Sequence, residues 1–456
     1  MKSENNLDTD KIGALVLNLA IPSMLAQFVS VFYSIVDRMY IGNIPETGEL
    51  ALAGVGVCGP IITMISSVSF WVGVGGAPLL SIRLGQKNQK GARQVLSNCF
   101  LLLLIMALLI TILALALKHK LLWWFGASKV LFPYADAYIT WIFSGTVFAL
   151  LSTGMNQFII CQGFSKVGMK SVLLGAVLNI ILDPVCIFIL DLGVKGAAMA
   201  TVISQIASCG YVLRFLFSSK PEIPITFGNY QWKVMKRVLL IGLTPFVIIA
   251  LDNVMINSLN AQIQRFGGYQ QGDMLLTCNT ILQSFMLIVT MPLGGITGST
   301  QTILGFNYGA KRADRIRKAE RHILALCLMF TGIMFVASRL FAPYFVMLFT
   351  RDPEYIRLTL EAIRIYTLML IPLGIQYMIV DGATGMGLSK IAISLSMFRK
   401  SIYFLCIFLI PSVWDVGGIF YAEPISDLIS PILSIAVFFL VINPVIEKAA
   451  ESSQEI

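Results

Sequence analysis

A polar patch interrupts an apolar part of the chain at Leu178–Leu190, which reads LNIILDPVCIFIL. Asn179 and Asp183 are four positions apart, so a helix places their side chains on one face. Pro184 has no backbone N–H, and the carbonyl of Ile180 therefore loses its usual helical partner. A carboxylate, an amide and a free carbonyl in one patch predict a site for a proton or a small cation. The residues do not choose between the two.

The elements that must position these groups follow from hydropathy. The 456 residues are 57% hydrophobic and only 12% charged, which is more apolar surface than a soluble core can bury. Because a helix needs about 20 apolar residues to cross a bilayer, the sequence predicts an all-α membrane protein of about twelve transmembrane helices. The predicted segments are Leu15–Tyr40, Leu52–Leu80, Leu96–Leu117, Tyr138–Cys161, Val172–Leu190, Ala197–Phe217, Val238–Leu259, Met274–Leu304, Ile323–Phe341, Thr359–Met378, Ile391–Ile410 and Ile419–Val441.

Basic residues concentrate in the even-numbered connections between these segments. They are Arg83, Lys87, Lys90 and Arg93, then Lys166 and Lys170, then Lys220, Lys233, Lys236 and Arg237, and finally Lys311, Arg312, Arg315, Arg317, Lys318 and Arg321. The positive-inside rule makes these connections and both termini cytoplasmic, in a multi-pass protein of the plasma membrane. The net charge of +9 therefore reports topology, and no nucleic-acid partner is expected.

The chain repeats itself at a spacing of 223 to 224 positions. The matching pairs are Gly85 with Gly309, GFSK at Gly163–Lys166 with GLSK at Gly387–Lys390, and Pro22 with Pro245. The repeat predicts an N-terminal six-helix lobe at 1–217, a cytoplasmic connector at 218–237 and a C-terminal six-helix lobe at 238–456. Because six is even, the halves are parallel repeats, an arrangement typical of carriers that work by alternating access.

Other function classes lack their signatures. No GxxxxGK[ST] phosphate loop is present, so energy for uphill transport would come from an ion gradient or the membrane potential. The eight cysteines include no CxxC pair, which argues against a disulfide frame, a metal site or a metal cofactor. The two histidines, His119 and His322, fall at predicted helix ends, which disfavours a membrane-embedded enzyme. A channel would usually come from a filter motif or a symmetric oligomer, and the sequence shows neither. The protein is expected to be a monomer.

Three polar side chains, Asp37, Asp183 and Thr201, are predicted to lie at a similar depth in the membrane. Helices 1 and 5 run outward, so Asp37 and Asp183 fall in their outer halves, and helix 6 runs inward from near Thr201. An intramembrane acid is costly and tends to mark an ion or proton site. The first half is therefore expected to hold a cation site built from helices 1, 5 and 6.

These features together resemble the multidrug and toxic compound extrusion (MATE) family, bacterial multidrug efflux branch. The likeness covers essentially the whole chain and rests on Pro22, Asp37, LNIILDP in helix 5, GAAMATVISQ at Gly196–Gln205 and the paired GFSK and GLSK loops. It implies a V-shaped carrier that exports cationic lipophilic compounds by antiport with H⁺ or Na⁺. The family's N-lobe cation site carries over, by residue type, to Asp37, Asn156, Asn179, Asp183 and Thr201.

The second half departs from the first. At the repeat spacing Asp37 becomes Asn260 and Asp183 becomes Ile407. Some family members use a pair of acids in helices 7 and 10. In this chain the position of the family's helix 10 acid aligns near Gln376, which is not an acid. The expected cavity-lining residues of this half are Asp252, Gln376, Asp381, Glu423 and Asp427.

One alternative function remains open at this point. A flippase or exporter of a lipid-linked or amphiphilic substrate would need basic groups in its cavity, and Arg399 and Lys400 lie near the middle of helix 11. Acids outnumber them inside the spans, which favours cationic cargo. The expected partners are therefore small cationic or amphiphilic molecules and the lipid bilayer.

Overall fold

The computed structural model describes residues 5–414 and 416–451, and every element in these ranges is helical. The α-helices are α1 Ile12–Gly42, α2 Gly48–Gly85, α3 Gln89–Trp124, α4 Phe132–Ile160, α5 Ser165–Pro184, α6 Gly193–Leu216, α7 Trp232–Gly309, α8 Ala313–Leu340, α9 Ala342–Val346, α10 Pro353–Tyr366, α11 Leu370–Gly385, α12 Ser389–Val413, α13 Ala422–Val437 and α14 Asn443–Glu451. Short π-helical turns at Val185–Ile189 and Phe438–Ile442 and a 3₁₀ turn at Val416–Tyr421 complete the set.

Eleven helical stretches in the described ranges are long and apolar enough to cross a membrane, and a bent pair of helices supplies a twelfth. Each predicted segment matches one of these spans and extends beyond it by at most one residue, so the prediction of an all-α protein with about twelve spans is confirmed. The tenth span differs from the expected continuous helix, because α10 and α11 meet at 49°. Pro372 in the first turn of α11 explains the break, since its ring excludes the carbonyl four residues earlier. Asp381, expected beyond the helix end, lies inside α11.

The helix α7 runs without interruption through the predicted connection between segments 7 and 8. Asn279 Nδ2 donates to Asn260 Oδ1 at 2.9 Å, although a straight helix would separate residues this far apart by about 28 Å. The run therefore folds back on itself, and it forms two spans, Trp232–Gly267 and Met274–Gly309.

The described chain divides into two compact units. One contains Ile21–Ile249 and the segment that ends at Asp10, and in it α4 packs against α2, α3 and α6. The other contains Lys11–Ala20 and the chain from Ala250 onward, and in it α11 packs against α8 and α13. The long helices α1 and α7 each contribute to both units.

The sequence repeat is also a repeat of backbone geometry. Two pairs of helices, α3 with α8 and α5 with α12, begin 224 positions apart. The loops before them match in the sign of φ, with the pairs Lys87 at 56° and Lys311 at 58°, and Gly163 at 87° and Gly387 at 77°. The left-handed conformation at the last pair favours glycine, which accounts for the first residue of GFSK and GLSK.

Candidate functional site

Three of the predicted site residues meet where α5 packs against α6. Asn179 and Asp183 lie on one face of α5, and Asn179 Nδ2 donates to Asp183 Oδ1 at 3.0 Å. The same amide nitrogen lies 3.3 Å from Thr201 Oγ1 on α6. Asn179 and Asp183 are buried, so this hydrogen-bonded chain lies inside the first unit.

A second carboxylate joins this group from α1. The Asp37 side chain lies within hydrogen-bonding reach of Asp183. Tyr33, one turn earlier on α1, and Tyr138 on α4 lie within electrostatic range of both acids. The structure therefore brings together Asp37, Asn179, Asp183 and Thr201, as expected.

The oxygen atoms of this cluster are incompletely partnered. Asp37 Oδ1, Asn179 Oδ1 and Asp183 Oδ2 are buried and accept no hydrogen bond from the described residues. Two carboxylates in contact repel each other when both are ionised, unless a proton or a cation lies between them. The cluster thus has the donor set for one proton or one small, oxygen-coordinated cation.

Pro184 ends α5 directly after Asp183, and the chain continues as a π-helical turn. Leu190 N donates to Val185 O at 2.9 Å, a bond across five residues. α6 passes very close to this turn at Gly196, where a Cβ would lie only 2.6 Å from the Cys186 carbonyl carbon. Glycine therefore allows α6 to approach the end of α5, and this approach holds Thr201 beside Asn179.

Asn156 lies apart from the cluster, contrary to the expectation that it belongs with the other four. Its Nδ2 faces Gly168 O at 3.5 Å, near the start of α5. Gly168 precedes Asp183 by fifteen residues, which corresponds to about 22 Å along a helix. Asn156 matches the family pattern in residue type, but its depth along the helices separates it from Asp37 and Asp183.

In the second unit the predicted acids of α13 are ion-paired. Arg399 on α12 donates through Nη2 to Glu423 Oε1 at 2.6 Å and through Nε to Asp427 Oδ1 at 2.7 Å. Glu423 and Asp427 are 9% and 2% exposed, so they are buried counter-ions rather than open cavity-lining acids. Asp252 on α7 forms an ion pair with the neighbouring Lys400.

The two remaining predicted residues have separate partners. Thr297 Oγ1 donates to Asp381 Oδ2 at 2.5 Å, and Gln301 also hydrogen-bonds this carboxylate. Gln376 Oε1 accepts from Ser434 Oγ at 2.5 Å. Asp252, which pairs with Lys400, and Asp381 thus have different partners among the described residues.

Sequence reasoning missed several residues that complete these clusters. Tyr33 could have been found, because it is four positions before Asp37 and so on the same face of α1. Tyr366 Oη, which donates to Glu423 Oε2 at 3.4 Å, has no such local signal.

Comparison with known proteins identifies the family of this chain. A family model described as MatE matches residues 22–185 and 249–406. The chain is 25% identical over 454 residues to an FAD transporter of Shewanella oneidensis, with 96% of each chain covered. It is 22% identical over 449 residues to the multidrug export protein MepA of Staphylococcus haemolyticus, with 97% of each covered.

Solved structures agree in fold. A MATE crystal structure in complex with MaD3S has a TM-score of 0.89 at 22% identity, covering 98% of this chain and 99% of that one. A MOP superfamily transporter from Pyrococcus furiosus has a TM-score of 0.90 at 21% identity, covering 99% of this chain and all of the other.

The apolar spans are those of a multi-pass membrane protein, and the MepA relatives are transporters rather than enzymes. Since the family model covers more than half of the sequence, the chain belongs to the MATE family of multidrug and toxic compound extrusion transporters.

Proposed function

We propose that this protein exports cationic lipophilic compounds by antiport with H⁺ or Na⁺, through alternating access and with both termini cytoplasmic. The MepA relatives, which are named multidrug export proteins, support the efflux of drugs. The basic connections between predicted helices support the orientation.

The contact between Asp37 and Asp183 is the observation that supports coupling of export to H⁺ or Na⁺. Two acids from different helices lie within hydrogen-bonding reach, and each keeps a buried oxygen without a described donor. Arg38 lies within electrostatic range of Asp37, but it is exposed on the next position of α1. A proton or Na⁺ that binds here would relieve the repulsion between the acids, and its release would restore it. Binding and release of one cation would thus favour different arrangements of α1 and α5.

The charges of the second unit favour cationic cargo over anionic cargo. A flippase for a phosphate-bearing lipid would need free basic groups, and Arg399 and Lys400 are both paired with carboxylates. Arg399 and Lys400 are paired with three acids, Asp252, Glu423 and Asp427. The net charge of these five side chains is therefore negative.

The test is ethidium uptake into inverted membrane vesicles, driven in turn by a pH gradient and by a Na⁺ gradient. We expect one gradient to drive uptake by the wild type. Asp183→Asn and Asp37→Asn should each abolish the gradient-dependent part, because either change removes one of the two interacting charges.

Asp191→Asn is the matched control, since Asp191 is exposed and only eight positions beyond Asp183. It should transport as the wild type does at equal expression. Wild-type vesicles that accumulate no ethidium under either gradient would refute cation antiport. Full gradient-driven uptake by Asp183→Asn would show that the coupling site lies elsewhere in the protein.

A second candidate is export of an anionic amphiphile, which the relative named FAD transporter favours. The same vesicles test it with FAD as the cargo. Uptake of FAD without uptake of ethidium would select this candidate over the first.

A further inference from the structure

The ion pair between Asp252 and Lys400 is unusually unequal in exposure. The Lys400 side chain is 8% exposed, whereas the Asp252 side chain is 45% exposed. Anything that approaches the pair therefore meets the carboxylate first. Because an acid within a membrane-spanning helix normally faces a cavity instead of lipid, the exposed part of Asp252 offers a contact point for a solute.

Lys400 has other negative neighbours on its buried side. Glu423 and Asp427 both lie within electrostatic range of its ammonium group. Arg399 binds one oxygen of each of these acids, so the pair of acids still carries charge for a second cation. Separation from Asp252 would thus leave Lys400 near compensating charge.

The pair lies on helices that correspond to those of the cation cluster in the first unit. At the repeat spacing of 224, α12 matches α5, and α7 and α13 take the places of α1 and α6 in the chain order. The positions that match Arg399 and Lys400 are Gly175 and Ala176, which carry no charge. The second unit therefore contains a covalently tethered cation where the first unit has none.

We propose that Lys400 is an exchangeable internal cation and that the positive group of a monovalent organic cation binds Asp252 by displacing it. This inference rests on the proposed export of cations, and it names the residue pair that receives the cargo. Lysine suits the role because its ammonium is a compact charge on a flexible stem, whereas the planar fork of Arg399 is fixed by two carboxylates. In this scheme the displaced Lys400 ammonium is held by Glu423 and Asp427, so no buried charge is left unpaired.

The test is the dissociation constant of ethidium, measured by fluorescence anisotropy on the full-length protein in lipid nanodiscs, with empty nanodiscs subtracted. Lys400→Gln removes the internal competitor and should tighten binding about tenfold. Asp252→Asn should weaken it about tenfold. In the Asp252→Asn background, Lys400→Gln should change the constant by less than about twofold, since the two residues act through each other.

Two further variants separate this effect from a change in folding or in net charge. Lys390→Gln removes an exposed lysine from the start of the same helix and should bind as the wild type does. Lys400→Arg keeps the charge and should not tighten binding. Because Arg399 still holds both α13 acids, Lys400→Gln is expected to fold, which thermal unfolding of the same samples checks.

An unchanged or weaker affinity in Lys400→Gln overturns the proposal, and so does tightening that persists in the Asp252→Asn background. If ethidium is nevertheless transported in vesicles, only the exchange mechanism fails and cation export stands. If the wild type neither transports nor binds ethidium, both fail. If the wild type then binds FAD and Lys400→Gln does not, Lys400 binds an anionic group of the cargo instead.

Discussion

Gly196 is the position at which one added methyl group tests the geometry of the first unit. Its Cβ would lie 2.6 Å from the Cys186 carbonyl carbon and 3.0 Å from Ile187 N. Carbon atoms normally approach to about 3.5 Å, so α6 must retreat by roughly 1 Å. The distance of 3.3 Å between Asn179 Nδ2 and Thr201 Oγ1, about one turn further along α6, would then exceed hydrogen-bonding range.

The expected cost of Gly196→Ala is about 1–3 kcal/mol, the usual range for overpacking a close contact. Thermal unfolding can be followed with a thiol-reactive dye, because cysteines such as Cys58 and Cys99 are buried in the folded protein. Gly210→Ala is the control on the same helix, since nothing lies within 4 Å of its added Cβ. It should unfold at the same or a higher temperature than the wild type, because alanine favours helix by about 1 kcal/mol over glycine. Equal unfolding temperatures for the two alanine variants would refute the close approach of α6 to the turn after Pro184.

Two further predictions concern the second unit and use the same unfolding assay. Arg399→Met should destabilise the protein by about 3–5 kcal/mol, because it leaves Glu423 and Asp427 buried without their partner. Adding Glu423→Gln and Asp427→Asn to that variant should recover most of the loss, and no recovery would mean that Arg399 acts through packing. Thr297→Val should cost about 1.5–3 kcal/mol, since it removes a hydrogen bond to the Asp381 carboxylate; unfolding that matches the wild type would contradict this.

The sequence predicted the elements well because hydropathy and helix length are local properties. Each of the twelve segments matches an observed span and extends beyond it by at most one residue, and the 224-residue repeat reappears in matching helix starts and loop conformations. Helix periodicity alone placed Asn179 beside Asp183, four positions away. Running directions of neighbouring helices were enough to bring Asp37 and Thr201 to the same level.

Contacts between helices were harder to predict, because they depend on rotation and on depth. Asn156 matched the family pattern in type but lies about fifteen residues of helix away from Asp183. The acids at Glu423 and Asp427 were visible, and so was Arg399, but nothing in a linear pattern showed that the guanidinium binds both. The break between α10 and α11 was also missed, since Pro372 lies within an apolar run that reads as one span.

The two units solve the problem of buried acids in different ways. Each intramembrane acid costs about 2.5–3.5 kcal/mol on insertion scales, so a cluster of acids needs compensating positive charge. In the second unit Arg399 and Lys400 supply that charge from within the chain. In the first unit Asp37 and Asp183 contact each other and keep buried oxygens without a described donor. A cation taken from solution is therefore expected to have its largest effect in the first unit, while in the second unit it must compete with Lys400.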